Sequence, residues 1–183
     1  MDFSLTSEQN ELQKVARDFA QKEMMAVAMD MEKNNTPLPD EWHKKYAEMG
    51  FLGININPKY GGLGLSNIEA LLVLEEFAKV SSAVAWPIFE SCVGPIKAVE
   101  HFANEELKQK IIPEVCNGNL FVAVSMSEPN AGSALTDLVT KAEIKNNKVN
   151  FGGKNSVGNA IKKTITIPVY KKRLNINDLI SNI

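Results

Sequence analysis

Apolar residues recur at helical spacing through the first two-thirds of this chain, and the polar residues between them fall where helices start and stop. Leu12, Val15, Ala16 and Phe19 share one face of a helix, leaving Glu11, Lys14, Arg17 and Asp18 mainly to solvent. Thr6-Ser7-Glu8-Gln9 just before them is a capping box, in which the Thr6 hydroxyl and the Gln9 side chain satisfy each other's backbone donors. The run from Asn34 to Pro39 breaks this helix. Asp40 is expected to cap a shorter one through Trp42, Tyr46 and Met49, stopped by Gly50.

Phe51 to Ile56 is a short apolar run, followed by a glycine-rich stretch from Asn57 to Leu65. Its glycines lack the G-x-G-x-x-G spacing and the strand–turn–helix frame of a dinucleotide site, so a packing loop is expected. Ser66-Asn67-Ile68-Glu69 is a second capping box. The helix it opens, through Leu71, Leu72, Leu74 and Phe77, has too few polar positions for a surface helix and belongs in the middle of a bundle. Leu12, Phe19, Leu71, Leu72, Leu74 and Phe77 are the expected core. Ala83 to Phe102 reads as an apolar helix bent or restarted near Pro87 and Pro95. Asn104-Glu105-Glu106-Leu107 begins a short charged helix, and Gly118 ends the segment that follows Pro113.

From Leu120 the period changes. Leu120 to Val124 reads as a short buried strand, and Thr140–Ile144 and Val149–Phe151 as a hairpin around Asn146-Asn147. The expected fold is mainly α: an N-terminal helical bundle over 1–119, an incomplete small β domain over 120–160, and a tail over 161–183. That tail holds four lysines and one arginine against one aspartate, has no glycine, and is dominated by Ile, Asn and Lys. Such a composition is what an out-of-frame reading of an AT-rich gene gives, so the tail is expected to lie outside the domain's design.

Composition adds mainly exclusions. Apolar content of 44%, charged content of 23% and a net charge of −2 are ordinary for a soluble globular chain, with no pull toward nucleic acid or an anionic membrane. No apolar run approaches the ~20 residues that span a bilayer. Cys92 and Cys116, the two cysteines, form no disulfide framework or zinc spacing; both read as buried apolar residues, which suits a reducing cytoplasm.

No self-contained catalytic set or metal cluster is visible. His43 and His101 are far apart, and His43 beside Trp42 reads as a partly exposed bundle residue. Most carboxylates fall on solvated helix faces. The stretch with the most chemistry is Met126-Ser127-Glu128-Pro129-Asn130-Ala131-Gly132-Ser133. A turn through Pro, Asn and Gly after an apolar run presents several backbone N–H groups, which favours negative charge or a polar ring edge, although an ordinary strand-ending turn has the same spacing.

That run resembles the flavin-binding signature of the acyl-CoA dehydrogenases, roughly T-E-P-x-A-G-S-D, with Ala134 where the family has its Asp. Other family elements follow in order: the Leu5-Thr6-x-x-Gln9 helix start, Met49-Gly50-Phe51-Leu52-Gly53, Tyr60-Gly61-Gly62-Leu63-Gly64, Leu74-Glu75-Glu76-Phe77-Ala78, and Gln109-Lys110 to Gly118. The resemblance covers about Met1 to Lys154. It implies FAD as cofactor, an acyl-CoA thioester as substrate, electron-transfer flavoprotein as acceptor, and homo-oligomers or a partner chain. It also implies roles for single residues. Met126 and Ser127 lie at the flavin's pyrimidine edge, Gly132 and Ser133 near the pyrophosphate, and Val124 near flavin and thioester. Glu128-Pro129 reads as a turn-fixing pair rather than a catalytic acid.

Departures limit the match. Where the family reads roughly N-G-x-K-x-W/F-I-T-N, Ser156 replaces the aromatic residue and Gly158 the hydroxyl that flank the flavin. Beyond Ala160 nothing matches, and the family's catalytic glutamate has no counterpart, so no catalytic residue is assigned. The expectation is the N-terminal portion of an FAD-dependent acyl-CoA dehydrogenase, cytoplasmic, truncated and inactive alone. The alternatives are a non-catalytic helical module that pairs with a partner chain, and the product of a decaying gene.

Overall fold

The computed structural model describes residues 4–123, 127–129, 131–137, 139, 141–145 and 148–152. The chain contacts divide it into two units, Met1–Ala123 and Val124–Ile183.

The first unit is helical. α1 (Ser7–Phe19) runs through a π-helical turn (Ala20–Met24) into α2 (Met25–Asn34), and Asn35, in the left-handed region, ends it. Then come α3 (Asp40–Glu48), a 3₁₀ turn (Pro58–Tyr60), α4 (Asn67–Ala78), α5 (Ser82–Cys92), α6 (Pro95–Phe102) and α7 (Glu105–Cys116). Both expected capping boxes form, Thr6 with Gln9 and Ser66 with Glu69. Asp40 departs from expectation. It is the first helical residue, and Pro39 holds the cap position without a side-chain bond. A carboxylate in the first turn still faces the positive end of the helix dipole. The helix continues through Pro87 and restarts at Pro95, where a missing N–H is harmless at the first helical position.

α1 and α4 lie side by side in the same direction, because Gln9 bonds Glu69 near their starts and Arg17 bonds Glu76 near their ends. α5 also packs on α4. Phe19 is the aromatic hub of the core: its ring meets Trp42, Tyr46, Phe51 and Phe77 with centroids 5.3–6.5 Å apart. Fully buried Tyr46 donates to the Val84 carbonyl at 3.0 Å, and burial pushes its phenol pKa well up. A second apolar group gathers Ile56, Tyr60, Ile96, Ile112, Val115 and Cys116.

The α4 register differs from expectation. Ala70, Val73 and Phe77 are buried, Leu72 and Leu74 are half-buried, and Leu71 is 51% exposed. α1 and α5 both pack on α4, and one face of α4 stays open. Leu71 and Ile68 lie exposed there, and Leu63 and Leu65 of the preceding loop are exposed as well. Val15 is partly exposed for a similar reason, one position off the buried Ala16–Ala20 stripe. Glu76 departs the other way, buried at 2% exposure because Arg17 and Lys79 neutralise it.

The glycine-rich stretch is a packing loop. Gly62 lies against the Ile56 carbonyl so closely that a Cβ would overlap it, and Gly53 (φ +67°) lies as closely against Cys116 Sγ. No side chain is tolerated at either place without backbone movement.

Residues 120–123 form no strand, and Leu120 and Phe121 are exposed; the expected strand over Leu120–Val124 is absent there. In the second unit, β1 (Lys141–Lys145) pairs antiparallel with β2 (Lys148–Gly152), setting Ala142 opposite Phe151 and Ile144 opposite Val149. This is the expected hairpin, one residue shifted at its ends. The tail over 161–183 lies outside the described residues, as do Ser156 and Gly158. Among the described residues no helix is long and apolar enough to cross a membrane.

Candidate functional site

The turn that the sequence singles out is held from below. Glu128 and Ala131 exchange backbone hydrogen bonds, 2.9 Å from the Glu128 N–H and 3.1 Å from the Ala131 N–H. Pro129 occupies the bend, where its fixed φ favours a turn. The Glu128 carboxylate is buried and accepts from the Val139 N–H at 2.8 Å. Glu128 thus fixes the turn to a segment eleven residues on and has the structural role its sequence context suggests. Ala131 is buried beside it.

The bridge doubles the chain back, so Ser127 and Gly132 leave it side by side. Ser127, Gly132 and Ser133 are all exposed. Nothing lies within 4 Å of where a Gly132 Cβ would stand. Among the described residues no hydrogen bond engages Gly132 or Ser133. A buried Glu128 beside open space at Gly132 and the exposed Ser133 hydroxyl is compatible with a polar ring edge or an anionic oxygen. Val124 and Met126 lie outside the described residues. Of the five positions that the resemblance assigns to the cofactor, Ser127, Gly132 and Ser133 fall on this turn.

The helical unit adds chemistry that sequence did not isolate. His43 is not partly exposed but buried, at 7% exposure, under the Phe121 ring. Its Nδ1 makes no well-formed hydrogen bond, and burial lowers its pKa below the ordinary histidine value. Glu90 on α5 lines a cavity of about 10 Å³, room for one water, with Leu52, Pro87 and Ser91 and with Leu120, Phe121 and Val122 above. Burial raises the Glu90 pKa. Neither position stands out in sequence, since a single His or Glu on a helix carries no spacing signal. Cys92 and Cys116 are buried free thiols as expected, and burial pushes Cys116 up to about 11, far from a reactive thiolate. Among the described residues no group of three or more His, Cys, Asp or Glu side chains is placed to hold a metal ion.

Residues 6–119 match the family model described as acyl-CoA dehydrogenase, N-terminal domain. The chain belongs to the acyl-CoA dehydrogenase family. It is 37% identical over 133 residues to an acryloyl-CoA reductase (NADH) of Anaerotignum propionicum, covering 73% of this chain and 33% of that protein. It is 34% identical over 149 residues to an acyl-CoA dehydrogenase of Bacillus subtilis strain 168, covering 81% of this chain and 39% of that one. An acyl-CoA dehydrogenase from Bacillus anthracis, solved in complex with FAD, superposes with a TM-score of 0.75 at 25% identity, over 83% of this chain and 26% of that one. The chain therefore spans well under half the length of these relatives.

Proposed function

We propose that this chain supplies the helical domain (1–119) and the first part of the β domain (120–160) of an FAD-dependent acyl-CoA dehydrogenase. Residues 161–183 lie outside that design. The reaction is α,β-dehydrogenation of an acyl-CoA thioester, with electron-transfer flavoprotein as acceptor, in a cytoplasmic homo-oligomer. FAD, when bound, supplies the hydride-accepting ring. The observation that carries this reading is the Ser127–Ser133 turn, with the Glu128 carboxylate tied to the Val139 N–H and open space at Gly132.

This chain's residues bind and orient. The Ser127 hydroxyl and the adjacent backbone at Met126 meet the pyrimidine edge of the ring, where preorganised donors stabilise negative charge as it develops. Gly132 leaves room for a phosphate to approach, and Ser133 donates to its oxygens. Val124 contributes apolar surface beside ring and thioester. None of the 183 residues is assigned as the α-proton base, which this reading places in polypeptide beyond the matched region. Accordingly the 183 residues alone are expected to bind FAD weakly and not to turn over.

The test is to purify the chain with excess FAD, record the visible spectrum, and repeat after Gly132→Val. Weak binding that Gly132→Val abolishes supports the assignment. Binding that ignores the substitution removes the Ser127–Ser133 turn from the site, and a stoichiometric yellow protein that reduces with acyl-CoA refutes the claim of inactivity.

A further inference from the structure

We propose that residues 117–122 form a strap whose seating on the helical body requires His43 to be uncharged, so that mild acid lifts it. The strap leaves α7 and passes over α3. Gly118, in the left-handed region at φ +65°, lies against the His43 carbonyl so closely that a Cβ would overlap it. Lys44 Nζ donates to the Asn117 carbonyl at 3.2 Å. The Asn119 and Leu120 N–H groups both donate to the Glu114 carbonyl, at 2.8 and 3.2 Å. Past that point no backbone hydrogen bond among the described residues holds Phe121 to Ala123. Side chains hold it instead: the Phe121 ring lies 3.9 Å from the His43 imidazole, centroid to centroid, and Val122 packs against the second apolar group.

A protonated imidazole needs an acceptor at each ring nitrogen. Under the seated strap His43 is buried and its Nδ1 makes no well-formed hydrogen bond, the backbone of Asp40 offering only a weak one. The strap itself, Asn117 to Val122, carries no charged side chain to compensate. On α3 itself, Asp40 one turn earlier favours the charged form through both its carboxylate and its backbone, and Glu41 lines the hollow beside Phe121 with it, but burial is the largest influence on His43 and its pKa falls. Lys44, next to His43, adds a positive charge. From α5, Glu90 faces the underside of Leu120–Val122, and its raised pKa gives the opposite sign: its neutral, acid form favours the closed strap. Lifting the strap returns His43 to water and to its ordinary pKa of ~6.5. The lifted state then takes up a proton that the seated state refuses, so seating weakens as pH falls through that range.

Amide hydrogen exchange on the full chain tests this, with rates corrected for intrinsic chemistry, at about pH 7.5 and about pH 5. The Asn119 and Leu120 amides should lose protection at the lower pH, by up to about tenfold for each unit separating the seated and lifted pKa values of His43. Val73 and Phe77 on α4 should keep theirs. His43→Gln, neutral at both pH values, should remove the difference, and Glu90→Gln should leave it. Unchanged protection in the wild type, the same loss in His43→Gln, or abolition by Glu90→Gln overturns the proposal. Should His43→Gln fail to fold, the wild-type imidazole titration followed by NMR decides it: a seated-state pKa at or above about 6.5 overturns it.

Discussion

Gln9 Nε2 donates to Glu69 Oε1 at 2.7 Å, joining the capping box of α1 to the capping box of α4. The Gln9 amide oxygen accepts the Thr6 N–H at 3.0 Å, and Glu69 Oε2 accepts the Ser66 N–H at 2.8 Å and the Ser66 hydroxyl. Two helix starts therefore share one hydrogen-bond chain. Parallel helices bring like dipole ends together, and the Glu69 carboxylate between them offsets that positive potential. Hydrogen bonds from Gln9 first, then from Ser66, hold its pKa at about 2.

Glu69→Ala should lower stability by about 0.5–2 kcal/mol, the usual range for a lost helix cap. Chemical denaturation at neutral pH measures it. Because the folded pKa is depressed, this stabilisation is complete above the unfolded carboxylate value of ~4.3 and fades as pH falls toward about 2. The difference between wild type and Glu69→Ala should therefore shrink on acidification, and a constant difference would show that Glu69 acts through packing.

At the far end of the same helix pair, Arg17 grips buried Glu76 with two nitrogens at 3.0 and 3.1 Å, and Lys79 adds a third bond at 2.9 Å. Arg17→Met leaves that carboxylate with Lys79 alone and should cost about 2–4 kcal/mol, close to the range for breaking buried pairs. The double change Arg17→Met with Glu76→Leu should recover most of the loss, since no buried charge remains. A double variant as unstable as the single one would mean the pair specifies the α1–α4 register.

Phe77, fully buried at the centre of the aromatic cluster, should lose about 3–5 kcal/mol when cut to Ala. Leu71→Ala should fall within about 0.5 kcal/mol of wild type, because half of the side chain is already in water. Thermal melts of both variants check the register of α4; equal losses would contradict it.

Gly53→Ala should destabilise strongly, from strain at positive φ and from overlap with Cys116 Sγ. Adding Cys116→Ala should restore part of the loss, since it removes the overlap and leaves the strain. Full recovery would assign the whole effect to the sulfur.

What the sequence determined is local. Both capping boxes and the antiparallel pair β1–β2 were legible because each depends on residues within a few positions of one another. The Glu128-Pro129 turn was legible for the same reason. Tertiary structure decided which apolar residues are buried. The composition of α4 is apolar nearly all round, so its period does not identify the exposed face; α1 and α5 do, and they leave Leu71 in water. Burial of Glu76 depended on Arg17, fifty-nine residues earlier, and burial of His43 on Phe121, far downstream. No periodicity encodes such pairings, because the desolvation that sets the charge state of each group comes from the chain folded over it.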